Sequence, residues 1–364
     1  MTLVLKLAIL AILLLSFHFF PFDFQAFEGN FHYPADGVLD WTAPFKTWDA
    51  QHYLFLADQG YAPGSESDSF YPLLPFLIHW TQFLFLNNAL AAGLCLSHLF
   101  TFLFIAYFYF LVKKIHDEKT AFYSCLFLLT FPTGFYLGLV YTESLFLSLA
   151  AANFYYSREG KTGPAAFCAF LLPLSRPMGI MVLVPALMDL WITRDFKDPA
   201  FRKKLLLPPA FILGLAVHLT IMKITTRDFF AFSNMMVNYR ADYSLTHLLH
   251  PLDWFIANFI SVDYSWTGIE TETLNRVFFL GAMAALIWAW RTLDRGLFVY
   301  ALVLGLVPAL LGNLMSYMRY AVVLFPLFIF AAVKLKDRAG YYLCVCLPFQ
   351  GLLALAHALN HWVA

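Results

Sequence analysis

The sequence predicts an all-α polytopic membrane protein, and three observations predict it. The chain is 61% hydrophobic and only 13% charged, with a mean hydropathy of +0.69, against roughly 45–50% apolar and about 25% charged for ordinary soluble domains. Long apolar runs recur from end to end, as spans of about 20 residues require. Short alternating segments of the kind that build a membrane β-barrel are absent. Backbone groups in hydrocarbon need internal partners, so the apolar runs are expected to be helices.

Taken in order, these runs place about eleven spans, at residues 2–20, 88–112, 120–137, 141–157, 163–176, 178–193, 205–224, 275–291, 297–313, 318–334 and 340–360. The first, MTLVLKLAILAILLLSFHFF, has Lys6 ahead of an apolar core. The following PFDFQAFEGN offers no small-x-small cleavage site, so it reads as an uncleaved span rather than a signal peptide. Residues 71–86 are apolar too. Tyr71-Pro72 and Pro75 predict a bent, partly embedded segment there.

Basic residues set the topology. Lys6, Lys113, Lys114, Lys119, Arg158, Lys161, Arg194, Lys197, Arg202, Lys203, Lys204, Arg291, Arg295, Lys334, Lys336 and Arg338 all fall on one side of this arrangement. That excess marks the cytoplasmic side and puts the N-terminus there. The opposite, extracytoplasmic side then holds 21–87, the 131–142 turn, the turn near Ser175–Gly179, the long loop 225–274 and the turn near Asn313–Met318. Residues 1–364 read as one integral membrane domain.

Several classes are excluded. Net charge is zero and no basic tail occurs, which argues against a nucleic-acid partner. The cytoplasmic loops are short and lack a Gly-rich phosphate loop, which argues against nucleotide-driven chemistry. None of the five cysteines has CxxC spacing, and all lie in apolar runs, so neither disulfides nor a zinc site is expected.

Polar motifs cluster on the outer side. KTWDAQHYLFLADQGY (46–61) reads as a short helix capped by Thr47 and stopped at Gly60. Asp49 in its first turn complements the helix dipole; it is equally a candidate general base at the membrane surface. His52 and Tyr53 lie three and four residues on and share its face. SFYPLLP (69–75) sets a chain angle or forms a pocket wall through Tyr71. In FPTGFYLGLVYTESLF (131–146), Pro132 and Gly134 break the helix, and Tyr141, Thr142 and Glu143 open the next span. Glu143 is an ionisable group entering the membrane, which is a functional candidate. SRPMG (175–179) and SYMRYAVVLFP (316–326) put Arg176 and Arg319 at an outer edge, against the charge bias. Each is either a snorkelling arginine or a clamp for an anion, whose oxygens a guanidinium fork matches. The 225–274 loop carries Arg227, Asn234, Asn238, Arg240, Asp242, Asp253, Asp263, Glu270 and Glu272. Its Trp254 and Trp266 point to a folded, membrane-hugging segment, and His247 and His250 read as an interfacial pair rather than a metal site.

Together WDAQHYLFLADQGY (48–61), SFYPLLP (69–75), FPTGFYLGLVYTESLF (131–146), SRPMGI (175–180) and MRYAVVLFP (318–326) resemble, in order, the motifs of the PIG-V family of mannosyltransferases. Two motifs depart from that family: Phe70-Tyr71-Pro72-Leu73-Leu74-Pro75 only approximates its Phe-Phe-Pro-Leu-Tyr-Pro, and Arg176-Pro177-Met178-Gly179 lacks its Asn. The resemblance implies a GT-C glycosyltransferase fold with an extracytoplasmic site in a prokaryotic plasma membrane. It also implies a polyprenyl-phosphate-sugar donor, commonly mannose, and a glycolipid, glycan or protein acceptor. The catalytic carboxylate in the first external loop (21–87) maps onto Asp49.

The mechanism expected from this is inverting single displacement. Asp49 acts as base, and Arg176 and Arg319 hold the leaving phosphate. Trp48, His52, Tyr53, Tyr61, Tyr71, Tyr141, Glu143 and Tyr320 form the donor and acceptor walls. No metal site is assigned, although Asp49 and Glu143 leave a shared divalent cation open. The competing reading is a lipid or solute transporter or flippase, which should carry charges in mid-span. Only His98 and His218 lie deep, and both read as packed histidines.

Overall fold

The computed structural model describes residues 2–34, 40–239, 245–262 and 268–363. All its regular elements are helical, and there is no β-strand among the described residues. The α-helices are, in order, α1 Thr2–Phe19, α2 Phe24–Glu28, α3 Asp49–Gln59, α4 Leu73–Thr81, α5 Ala89–Ile115, α6 Glu118–Leu129, α7 Glu143–Arg158, α8 Thr162–Ser175 and α9 Leu183–Ile192. They continue as α10 Pro199–Lys204, α11 Leu207–Thr226, α12 Ala231–Tyr239, α13 Pro251–Phe259, α14 Gly268–Ala289, α15 Arg295–Leu310, α16 Tyr317–Tyr320, α17 Pro326–Leu335 and α18 Ala339–Ala358.

α7 is the centre of the fold. Every residue from Glu143 to Phe154 is buried, as expected of a helix enclosed on all sides. α5 and α8 pack against it, and α11 covers α8. α6 packs on both α5 and α17, α9 on α15, and α1 on α18. The outer surface is apolar. Ile212, Leu213, Ile224, Leu280, Ile287 and Trp288 are all more than half exposed. Side chains of this kind belong against lipid rather than water.

Helix lengths differ from expectation. Three helical stretches among the described residues are long and apolar enough to cross a membrane: Ala89–Ile115, Pro199–Thr226 and Pro326–Ala358. Val4–Phe19, Thr162–Ser175, Pro177–Ile192 and Arg295–Leu310 are apolar but shorter. The figure of about eleven long crossings is therefore not reproduced. The cause is local: the chain breaks where the motifs fall. α6 stops at Leu129 instead of running to 137, and a 3-10 turn, Gly134–Gly138, follows Pro132. Arg176 is extended between α8 and a second 3-10 turn. The expected 318–334 span is instead α16, a short turn and then α17, which opens at Pro326. The bent segment over 71–86 appears as α4 and a 3-10 turn, Gln82–Phe85.

Lys6 also departs from expectation. It does not sit in a basic loop. It is buried, and its Nζ donates to Thr101 Oγ1 at 3.2 Å. Four of the other expected inner loops, at 113–119, 158–161, 291–295 and 334–338, are joined by ion pairs. Lys113 pairs with Glu118, Lys114 with Glu159, Lys119 with Asp337, Lys336 with Asp117, and Arg158 with Asp294. The 225–274 stretch is mostly helical, forming α12, a 3-10 turn over Leu245–Leu249, α13 and the start of α14. Trp254 anchors it by donating to the carbonyls of Ala309 and Gly312. Arg240, Asp242, Asp263 and Trp266 lie outside the described residues.

Candidate active site

α3 begins at Asp49 and ends at Gly60, whose φ of 73° a glycine adopts without strain. Its start is unusual. Trp48 holds the N-cap position at φ 52°, ψ −125°, and its side chain makes no capping bond. Such a backbone in a bulky residue costs about 1–3 kcal/mol and is characteristic of functional sites. Thr47 does not cap the helix as expected. Its Oγ1 lies 2.8 Å from His357 Nε2, and Tyr141 Oη donates to its carbonyl. Thr142 likewise leaves α7 uncapped and meets Tyr53 Oη at 3.3 Å.

Four charged residues from four parts of the chain form one network. Arg319 Nη1 donates to Asp49 Oδ2 at 2.7 Å, and its Nε lies 3.3 Å from Glu143 Oε1. Arg176 Nη1 reaches the same Glu143 oxygen at 2.9 Å. The Glu143 side chain is 1% exposed, Arg176 6%, Arg319 8% and Asp49 18%, so Glu143 is the hidden counter-ion and Asp49 the carboxylate that reaches the surface. Both guanidinium groups stack over the Tyr320 ring, at 5.2 and 5.1 Å. Arg319 also lies over Tyr136 and Tyr141.

Backbone anchors fix Arg319. Asn275 Oδ1 accepts from Met318 N, and Thr133 Oγ1 donates to Met318 O, both at 2.9 Å. Behind Arg176, a Cβ on Gly179 would fall 1.9 Å from Leu172 O. The turn therefore needs glycine at 179 to close against α8.

This network forms part of the wall of a cavity of about 1060 Å³. Of the residues singled out in the sequence, Trp48, Asp49, His52, Tyr53, Tyr71, Arg176, Arg319 and Tyr320 line it. Glu143 and Tyr141 stand behind that wall and support the arginines. Tyr61 also lies elsewhere: its Oη donates to Phe70 O at 2.6 Å, and it lines a separate, mainly apolar cavity of about 730 Å³ with Leu56, Leu73 and Phe76.

His52 is sandwiched between Phe31 and Phe70 at 4.2 and 4.3 Å, with Nδ1 3.0 Å from Ser67 Oγ. Burial pushes its imidazole down to about 3, so it is neutral at ordinary pH. Burial raises the Tyr53 hydroxyl well above its usual value, so it acts as a neutral hydrogen-bonding group. Tyr71 stacks on His218 at 4.1 Å, which agrees with His218 as a packed histidine.

Sequence reasoning missed part of the wall. Asn360, His361 and Trp362 line the cavity from beyond α18, and Glu270 and Thr271 from the start of α14. Trp362 meets Trp48 edge to face at 4.7 Å. Both indole Nε1 groups, and the Oγ of Ser69 in the same lining, are buried without a hydrogen-bond partner among the described residues. A polar run, Asn360-His361-Trp362, directly after the last apolar stretch was the available clue.

A metal does not fit between the two carboxylates. Arg319 contacts both Asp49 and Glu143 and takes the place a shared cation would need. No group of three or more His, Cys, Asp or Glu residues suited to a metal occurs among the described residues.

No family model and no curated protein matches the chain. Two solved structures of the Archaeoglobus fulgidus oligosaccharyltransferase are similar to it. One is tethered to an acceptor peptide through a disulfide bond; it is 13% identical with a TM-score of 0.47, and covers 99% of this chain and 56% of its own. The other, in complex with zinc and sulfate, is also 13% identical with a TM-score of 0.46, and covers 99% of this chain and 53% of its own. The chain thus spans about half the length of the structures it matches.

Proposed function

We propose that the protein is an extracytoplasmic glycosyltransferase of the GT-C type. In this reading it transfers a sugar, mannose on the strength of the PIG-V-like motifs, from a polyprenyl phosphate to an acceptor hydroxyl with inversion. The acceptor is a glycolipid, glycan or protein. The observation that carries the reading is the placing of Asp49. Its carboxylate faces a large cavity, one oxygen is tied to Arg319, and Arg176 faces the same cavity.

The chemistry follows from that placing. Asp49 accepts the proton of the acceptor hydroxyl through Oδ1 while Arg319 holds Oδ2. The hydroxyl oxygen forms a bond to the anomeric carbon, and the bond from that carbon to the phosphate oxygen breaks. Its electron pair leaves with the polyprenyl phosphate. The leaving group is already an anion and needs no proton, so a single carboxylate suffices, unlike the pair a glycosidase uses. Arg176 and Arg319 stabilise the charge that develops on the phosphate. The unpartnered N–H groups of Trp48 and Trp362 supply donors to sugar hydroxyls.

The test is transfer from radiolabelled polyprenyl-phosphate-mannose in membranes holding equal amounts of wild type or Asp49→Asn. Activity in wild type and its loss in the variant supports the reading. Equal activity in both removes Asp49 from the chemistry.

A further inference from the structure

α7 carries a second charged cluster at its other end. The helix runs 16 residues from Glu143 to Arg158, or about 24 Å at 1.5 Å per residue. At the Arg158 end lies a cavity of about 460 Å³. Its charged lining is Arg158, Lys204, Arg295, Asp189 and Asp294. Ile115, Phe154, Leu190, Ile192 and Leu207 supply apolar lining.

These charges are not balanced internally. Asp294 is committed twice: Oδ2 accepts from Arg158 Nη2, and Oδ1 caps α15 at Leu297 N. Arg158 Nη1 is buried with no hydrogen-bond partner among the described residues, and its guanidinium is held over the Phe154 ring at 5.4 Å. A buried guanidinium nitrogen without an acceptor is costly and marks a place for one. Lys204 and Arg295 line the same cavity and make no ion pair among the described residues. Three cations therefore face two carboxylates, one of them already engaged. Asp189 remains as an acceptor for a hydroxyl, and it approaches so closely that a Cβ on Gly296 would fall 2.7 Å from its Oδ1.

We propose that this cavity binds a phosphodiester, the headgroup of a membrane phospholipid with a free hydroxyl such as a glycerol. The phosphate lies against Arg158 Nη1, Lys204 and Arg295. The headgroup hydroxyl donates to Asp189, and the first methylenes of the chains rest on the apolar lining. Guanidinium and ammonium donors beside apolar lining suit a lipid better than a free anion. The site is separate from the proposed reaction and does not depend on it.

The test uses the full chain in detergent, with dihexanoyl-phosphatidylglycerol and, separately, inorganic phosphate as titrants. Lys204→Gln with Arg295→Gln removes two cations and leaves the Arg158–Asp294 pair intact. Arg202→Gln with Lys203→Gln is the charge-matched control, since those side chains are exposed and do not line the cavity. Saturable lipid binding, weakened about tenfold or more by the first double variant and unchanged by the second, supports the proposal. Phosphate binding of equal strength with the same dependence would keep the anion site and overturn the lipid. Equal weakening by both variants, or no saturable binding, overturns the site altogether.

Discussion

Arg319 donates to Asp49 at 2.7 Å across 270 positions of sequence. That bond fixes the orientation of the carboxylate in the cavity wall and leaves its other oxygen outside the pair. It also makes carboxylate and arginine a unit, so changes at either should be read together.

Asp49→Asn is expected to lower transfer by about 10²–10⁴-fold, the usual worth of a general base. Asp49→Glu keeps the charge but moves the carboxylate by a methylene, and a misplacement of about 1 Å costs on the order of 10²-fold. Initial rates with matched protein check both. Equal rates for wild type and Asp49→Glu would show that geometry at this carboxyl does not matter.

Glu143 is expected to be structural rather than reactive. Glu143→Gln leaves Arg176 and Arg319 buried without their shared counter-ion, a change that typically costs about 3–5 kcal/mol. Thermal unfolding in detergent should show a large drop. In a cycle with Arg176→Gln, the double variant should lose less than the sum of the singles. Strict additivity would mean the 2.9 Å pair contributes no coupling.

Much of this site was legible in local sequence. The start at Asp49, the stop at Gly60 and the helix-breaking Pro132 act through their own backbone, so short windows reveal them. What Thr47 bonds to was not legible. A threonine before a helix normally caps it, but here His357, 310 positions away, takes its hydroxyl. Glu143 was expected in the cavity wall, yet two arginines from other segments draw it behind that wall. Helix lengths were misjudged for a related reason. Apolar runs continue through breaks such as Arg176–Pro177, so hydropathy alone does not show where the helices end.

Trp48→Gly and Trp48→Ala both remove the indole, but only glycine tolerates φ 52°. The glycine variant should therefore be the more stable of the two, by roughly 1–3 kcal/mol. Denaturation midpoints compare them. An alanine variant at least as stable as glycine would show that this backbone is not strained.

Asp68 should make stability fall as pH rises. Burial pushes its carboxyl up from 3.8 to about 6. The folded state therefore holds its proton more tightly than the unfolded chain, and the difference opens between pH 4 and 6. Full stability is present below about pH 4 and a constant deficit remains above about pH 6. His52 opposes this, because a depressed imidazole withdraws stability as pH falls from 6.5 towards 3. The melting temperature of Asp68→Asn minus that of wild type isolates the first effect. It should grow from pH 4 to 6; a flat difference would contradict the assignment.

The run of pairs from Asp49 to Arg319, Glu143 and Arg176 means that the cavity carries its own competitor. Any anion that docks on the arginines shares them with carboxylates that already sit 2.7 to 3.3 Å away. Apparent affinity for a phosphate is lowered by that sharing, because the positive charge is already partly neutralised from within. Under the proposed reading, a lipid phosphate held by half-neutralised arginines leaves more readily after each turnover than one held by bare ones.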